Sequence, residues 1–302
     1  EEVAGYYDTR HRFSANQIET YIDCPFRFMM NKILEIPSLD RPERGLDVMT
    51  IGTIYHHVLE KFYRKYLGTA LEVVDLDEAF DVVEELTDDE FKIEVVGFAE
   101  AYPGVARVER NRIVETLRRH VRVHHENGSE GWLAEHFEVS FGESLTEYSD
   151  SMSVSEPFSL EVGGETFQFT GRLDRVDVNA DRSEARLVDY KSSVGSISKG
   201  DIKEGRNIQL TLYAMVLESL LLEDGKCAET QYLKVGSLEK KGTVDKDKSD
   251  TWTNARVALE KSIRGIQAGV FYPKAHEKAC KYCPENKVCR FEEGRIAGKT
   301  AP

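Results

Sequence analysis

The sequence predicts an α/β chain with a central mixed β-sheet flanked by helices, a mainly helical N-terminal part and a cysteine-rich C-terminal tail. Three observations predict it. Apolar residues recur at helical spacing through the first 130 residues, the period changes to two from Trp132, and several adjacent strands are then followed by a helix and another strand. At 302 residues, with 40% hydrophobic and 31% charged side chains, the chain can bury a sizeable core. We read it as a single domain, 1–302, made of a helical part (1–130), an α/β core (131–270) and a tail (271–302).

The first helix starts at Ser14, where S-A-N-Q is a capping-box pattern, and its apolar spacing runs to Leu34. Pro25, with no N–H to donate, should kink or break it. Further helices fit Thr50 to Leu67, Asp75 to Glu100 and Val105 to His125. Alternating strands follow: Phe137–Phe141 (FEVSF), then Phe158–Val162 (FSLEV) and Phe167–Val178 (FQFTGRLDRVDV) on either side of Gly163-Gly164, a strong hairpin signal. Ala185–Lys191 (ARLVDYK) is a short, largely apolar strand. A helix from Asn207 to Leu222, a strand from Glu229 to Val235 and a helix from Thr253 to Ala268 lead into the tail.

No apolar run approaches the roughly 18 residues a membrane span needs, and the start has neither a basic nor an apolar leader region, so the expectation is a cytoplasmic protein without a membrane partner. A start at Glu1 rather than Met suggests a piece of a longer polypeptide. The net charge of -14 does not favour a nucleic-acid partner, but it is unevenly spread. Acidic residues crowd Glu72 to Glu94, while Arg110 to His125 is basic. A solvated helix face and a DNA track both fit that basic run.

Hydrolysis of a phosphodiester with a divalent cation needs hard oxygen ligands and a cationic group near the attacking water. The pattern acid-any-Lys begins at Glu90, Asp189, Asp201, Asp224, Glu239 and Glu285, so alone it selects nothing. Asp189 differs because it lies on an apolar strand. Asp189 and Lys191, two apart, share one face, and a neighbouring arm can bring Asp174 beside them. A surface ion-pair network would use the same residues.

Taken in order, G-T-x-x-H-x-x-L-E from Gly52 to Glu60, G-x-x-D ending at Asp174, D-Y-K at Asp189–Lys191 and Q-x-x-x-Y from Gln209 to Tyr213 resemble the RecB/AddB-type nuclease domains of the PD-(D/E)XK superfamily. The resemblance runs from Ser14 to Cys289 and is weakest between Gly68 and Trp132. It implies a restriction-endonuclease-like sheet. It also implies a Mg²⁺- or Mn²⁺-dependent deoxyribonuclease, an exonuclease with possible endonuclease activity, acting on single-stranded DNA ends in repair and recombination. A helicase subunit or fused helicase domain is the implied partner. Carried over, His56, Asp174, Asp189 and the Tyr190 carbonyl would be metal ligands. Lys191 would orient the water and steady charge on the phosphate, with Gln209 and Tyr213 positioning the phosphate or the lysine. His57 reads as structural, and Glu60 as a weaker, water-bridged candidate.

The chain has five cysteines. Cys280-x₂-Cys283-x₅-Cys289 supplies three thiolates close together, and Cys24 is the obvious fourth; zinc and iron-sulfur chemistry both suit such a set. AddB-type domains share one N-terminal cysteine plus C-x₂-C-x₅-C around a [4Fe-4S] cluster, which the resemblance therefore implies here. Cys227 reads as a small core residue. Two other readings compete with a nuclease. One is a catalytically silent DNA-binding or scaffold module that keeps the fold and cluster; the other is a zinc-stapled interaction domain. The intact Asp174, Asp189 and Lys191 speak against the first.

Overall fold

A computed structural model describes residues 2–36, 45–192, 198–222, 225–244, 249–274, 280 and 283–289. Ahead of the first expected helix lie two elements too short to carry a periodic signal, α1 (Glu2–Tyr6) and β1 (Arg12–Phe13). Helix α2 (Ala15–Asp23) begins with the capping box: Ser14 Oγ accepts the N–H of Gln17 at 3.2 Å and Gln17 Oε1 accepts that of Ser14 at 3.0 Å. Cys24 is extended, and Pro25 opens a new helix, α3 (Pro25–Phe28), which runs into a single π turn over Met29–Ile33. Pro25 thus breaks the predicted helix, and it sits at a first helical position, where a missing N–H has no cost.

Helix α4 (Val48–Lys65) is capped by Asp47, whose side chain accepts the N–H of Thr50, and α5 (Leu76–Glu94) by Asp75, which accepts that of Glu78. The helix expected to run to Glu100 stops at Glu94 and resumes as α6 (Val96–Ala101). Helix α7 (Pro103–Asn127) starts on a proline and ends at Gly128, whose φ of 71° an L side chain disfavours. The two charge runs meet here. Arg110 bonds Glu84 at 2.8 Å and Asp88 at 2.7 Å, and Arg118 bonds Glu84 at 2.5 Å. Two acids of α5, Glu84 and Asp88, and two arginines of α7, Arg110 and Arg118, thus pair across the two helices.

Beyond α7 come β2 (Trp132–Phe141), β3 (Phe158–Val162), β4 (Glu165–Phe169), β5 (Gly171–Asn179), β6 (Glu184–Lys191), β7 (Lys226–Lys234) and β8 (Lys240–Val244). They form two sheets. The larger has the order β2-β5-β6-β7-β8, with β6 and β7 parallel and the other neighbours antiparallel; the smaller has the order β1-β4-β3. The arm read as continuous from Phe167 to Val178 is therefore divided. Phe167–Phe169 stays in the hairpin closed by Gly163-Gly164, and the chain changes sheets at Thr170, whose N–H goes to Phe13 O and whose hydroxyl goes to Phe141 O. Gly171 has no room for a side chain: a Cβ there would lie 2.9 Å from the Tyr213 hydroxyl and 3.0 Å from the Phe141 ring.

Helices α8 (Lys199–Lys203) and α9 (Gln209–Val216), the latter extended by a π turn over Leu217–Leu221, connect β6 to its parallel neighbour β7, and α10 (Ser249–Gln267) closes that side. Two cores result. One joins α2, α9 and α10 to both sheets through residues such as Ile18, Phe28, Phe141, Phe169, Leu212 and Ile263; the other packs α4, α5 and α7 on the larger sheet through Ile54, Phe62, Ile113, Phe137 and Val188. Truncating a buried leucine such as Leu212 to alanine costs about 2–5 kcal/mol. Cys227 is fully buried in the first core. No helix among the described residues is long and apolar enough to cross a membrane.

Candidate active site

The carboxylates converge because of register. Strand β5 pairs with β6 so that Arg175 faces Val188, which sets Asp174 beside Asp189 one step further; β2 pairs with β5 so that Phe137 faces Arg175 and Val139 faces Leu173, which sets Glu138 on the other side of Asp174. Three acids thus form a row across three strands. Asp174 Oδ2 accepts the backbone N–H of Tyr190 at 2.7 Å. His56, from α4, closes the row from above, its Nδ1 3.6 Å from Asp174 Oδ1 and 3.7 Å from Glu138 Oε1. The ligand atoms of His56, Glu138 and Asp174 all lie within 4.8 Å of one another, close enough to share one cation.

Glu138 was not singled out by the sequence reading. Its signal there was weak, an acid between Phe137 and Val139, and only the β2–β5 register gives it meaning. Its φ of 51° is unusual for a non-glycine residue within a strand. Such a conformation costs on the order of 1–3 kcal/mol and persists where surroundings enforce it.

Electrostatics suit a cation. Burial, reinforced by the Asp189 charge, pushes Asp174 up to about 7, against the pull of His56 and Lys191. Burial opposes protonation of His56 too, but Asp174 and Glu138 outweigh it and hold the imidazole up at about 9. A buried carboxyl that resists ionising beside other acids belongs to the kind of hard-oxygen donor set a divalent ion requires.

On the same face, Lys191 Nζ lies 2.5 Å from Asp189 Oδ2, donates to Gln209 Oε1 at 3.3 Å, and sits 5.1 Å from the Tyr232 ring centre. Tyr213, one turn along α9 from Gln209, is buried against Phe141, and the Gln209 side chain reaches its hydroxyl. The other histidine, His57, turns away to Glu90 at 2.9 Å, and Glu60 is taken by Arg64 at 3.0 Å. The opposite face of the larger sheet holds a buried ion network. There Arg175 and Arg186 share Asp177, and Arg175 Nη1 donates to the Tyr190 hydroxyl at 3.1 Å.

The cysteines of the expected cluster are all partly exposed. The turn at Cys24 is tied to the chain just ahead of the tail: Phe26 N–H donates to Tyr272 O at 3.2 Å, Lys274 Nζ to Ile22 O at 2.5 Å and the Tyr21 hydroxyl to Val270 O at 2.8 Å. Cys283 N–H donates to Cys280 O at 3.3 Å. Burial, with the Glu285 carboxylate 3.1 Å from its sulfur, pushes Cys283 up to about 11. Among the described residues, no cysteine belongs to a group of three or more potential ligands within 4.8 Å.

A model of the PD-(D/E)XK nuclease superfamily matches residues 12–290, which contain this row of acids, the lysine and the histidine. This chain belongs to the PD-(D/E)XK nuclease superfamily. Similar proteins, named as subunits of an ATP-dependent helicase/deoxyribonuclease, include one from Clostridium tetani, 28% identical over 78% of this chain and 20% of that protein. Others come from Caldanaerobacter subterraneus, 23% identical over 96% of this chain and 30% of that protein, and from Clostridium botulinum, 24% identical over 81% and 21%. This PD-(D/E)XK chain therefore spans less than a third of the length of these relatives. The solved structure titled "Crystal structure of SSO0001" matches at 13% identity and a TM-score of 0.30, covering 86% of this chain and 93% of that one.

Proposed function

We propose that this chain is a Mg²⁺- or Mn²⁺-dependent deoxyribonuclease that cuts single-stranded DNA, as the nuclease part of a helicase–nuclease acting at DNA ends. The observation that carries this reading is the convergence of Asp174, Asp189 and Lys191 on one face of β5 and β6, with His56 and Glu138 against them. The helicase partner is suggested by the names of the relatives, and the whole of 1–302 is taken to act as one nuclease unit. Asp174 and Asp189 would hold the cation, with His56, Glu138 and the Tyr190 carbonyl as further ligands. The ion supplies Lewis-acid polarisation of the phosphate and a water acidified enough to attack near neutral pH. The chain does the rest.

Lys191, fixed by Asp189 and Gln209, orients that water and offsets the charge growing on the phosphate. The neighbouring carboxylates keep it protonated: burial pulls its pKa down, but Asp189 and Asp174 more than compensate. It therefore acts as a cation and not as a proton acceptor. Tyr213 acts from behind, keeping Gln209 in place. Cys24, Cys280, Cys283 and Cys289 would hold a [4Fe-4S] cluster, a role supported by the hydrogen bonds that tie the turn at Cys24 to the chain just ahead of the tail. Phosphodiester hydrolysis transfers no electrons, so the cluster's part is structural.

Cleavage of single-stranded DNA with and without Mg²⁺, by protein prepared anaerobically, tests the reading. Lys191→Ala should lose on the order of 10² to 10³ in rate, and Asp189→Asn more. Wild-type cleavage by both variants, folded, would overturn it.

A further inference from the structure

Glu19, on α2, reaches the beginning of α9. A single oxygen, Oε1, accepts the backbone N–H of Ile208 and that of Gln209, each at 2.8 Å. A helix leaves its first N–H groups without partners inside the helix, and Ile208, at the cap position, has no side-chain acceptor to offer. The cap comes instead from a residue 189 positions away in the sequence. One more bond holds the same turn, from the Tyr232 hydroxyl to Asn207 Oδ1 at 2.7 Å.

What the cap orients is the side chain that meets the lysine. Gln209 is the first residue of α9, and its Oε1 accepts Lys191 Nζ. Residues Leu210 to Val216 of this helix are all buried, so its body is gripped by packing, and the direction of its first turn depends on the polar contacts there. Both Lys191 and Asp189 lie near enough for their charges to be felt at Glu19.

We propose that Glu19 is a positioning residue for the nuclease reaction: by capping α9 from α2 it sets where Gln209 holds the Lys191 ammonium beside Asp189. The proposal rests on the reading of Lys191 as a catalytic residue. It also ties α2, which ends next to Cys24, to the reaction face, so that the N-terminal helix is part of the active site's support and not a separate lobe.

The test is single-stranded DNA cleavage at saturating Mg²⁺, with kcat, KM and melting temperature measured for Glu19→Ala, Glu19→Gln, Glu19→Asp and Gln209→Ala, and for the double variant Glu19→Ala/Gln209→Ala. Loss of the cap should lower kcat about tenfold in Glu19→Ala with little change in KM. Glu19→Gln keeps an acceptor oxygen at the same reach and should keep most of the activity, while Glu19→Asp, one methylene shorter, should resemble Glu19→Ala. In the double variant kcat should fall no lower than in Gln209→Ala alone, because the first residue acts through the second. Additive losses, an unchanged kcat in Glu19→Ala, or a Glu19→Gln as impaired as Glu19→Asp would each overturn the proposal. If Glu19→Ala does not fold, the Gln and Asp pair decides. Lys191→Ala, assayed alongside, separates the two levels: if it too cuts normally, the active-site reading fails, and if it is dead while Glu19→Ala is normal, only the capping role falls.

Discussion

Asp174 takes the backbone N–H of Tyr190 with one carboxylate oxygen and turns the other toward His56. The regular β5–β6 pairing extends as far as Arg175 and Val188, so a side chain here completes the bonding of the sheet. Folding thereby fixes the carboxylate's orientation before any cation arrives, and commits a buried acid beside Asp189.

That commitment should be measurable as instability. With its folded pKa raised to about 7 from the usual 3.8, Asp174 holds a proton that the unfolded chain has released. Its contribution to stability is present below pH 3.8 and disappears as pH rises through 7. Asp174→Asn can still accept the Tyr190 N–H, carries no charge, and should melt higher than the parent at pH 8 in EDTA while losing cleavage. Mg²⁺ should raise the parent's melting temperature and leave the variant's alone. A variant that melts lower in EDTA would contradict this account of the site.

Gly52 lies one helical turn before His56 on the same face of α4, and a Cβ there would meet nothing within 4 Å. Among the described residues, no contact requires glycine at that position. Alanine in a helix interior is favoured over glycine by about 1 kcal/mol, so Gly52→Ala should raise the melting temperature by a few degrees. If the open space beside His56 is where the DNA backbone passes, the same change should raise KM for single-stranded DNA. Thermal unfolding and steady-state cleavage check the two halves; a stabilised variant with unchanged KM would remove Gly52 from the DNA path.

The parts of this site written locally were legible in the sequence. Asp189 and Lys191 share a face because a strand repeats every two residues, and the Ser14 cap and the Gly163-Gly164 turn need only a few neighbours each. Glu138 and Glu19 were not legible, since the first depends on how β2 registers with β5 and the second on α2 packing against α9. The sheet change at Thr170 was not legible for the same reason: the alternation from Phe167 to Leu173 runs straight through the corner, which only the pairing of β4 and β5 in different sheets and the contacts of Gly171 with Tyr213 and Phe141 reveal. The charge runs on α5 and α7 could not be interpreted singly, because part of each, Glu84 and Asp88 with Arg110 and Arg118, pairs with the other.

The cysteines give a prediction of stability and iron together. Joining Cys24 to Cys280, Cys283 and Cys289 through one centre would close most of the chain into a loop, worth about 5 kcal/mol in a chain-entropy estimate. Cys24→Ser and Cys283→Ser should each lose iron, the absorbance near 400 nm and a similar number of degrees in melting temperature. Cys227→Ala, in the core, should keep the iron. A Cys24→Ser protein with full iron and unchanged stability would refute the staple.

Acid sensitivity should arise behind the sheet. Tyr63 stands between two histidines, its hydroxyl 3.0 Å from His120 Nε2 and 2.7 Å from His124 Nδ1, with the Arg175 guanidinium 4.3 Å from its ring centre. His120 is fully buried and its Nδ1 has no hydrogen-bond partner among the described residues, so an imidazolium there would leave one N–H without an acceptor beside a fixed guanidinium. Burial, and after it the neighbouring His124 and the Arg175 guanidinium, holds His120 well below 6.5, and burial and Arg175 push His124 down to about 3. Both are neutral in the folded protein, whereas in the unfolded chain both take a proton near pH 6.5. Their contribution to stability is therefore whole above pH 6.5 and is lost as pH falls, at up to about 1.4 kcal/mol per pH unit for each residue. Asp174 works in the opposite direction over part of this range, so the parent's slope alone is not diagnostic. The difference between two proteins is. Urea unfolding of the parent and of His120→Gln in EDTA between pH 6 and 5 should give a shallower fall for the variant, by up to about 1.4 kcal/mol per pH unit, although the variant is less stable at pH 8. Parallel slopes would mean that His120 is protonated in the folded protein and that its place against Tyr63 is not the neutral one described.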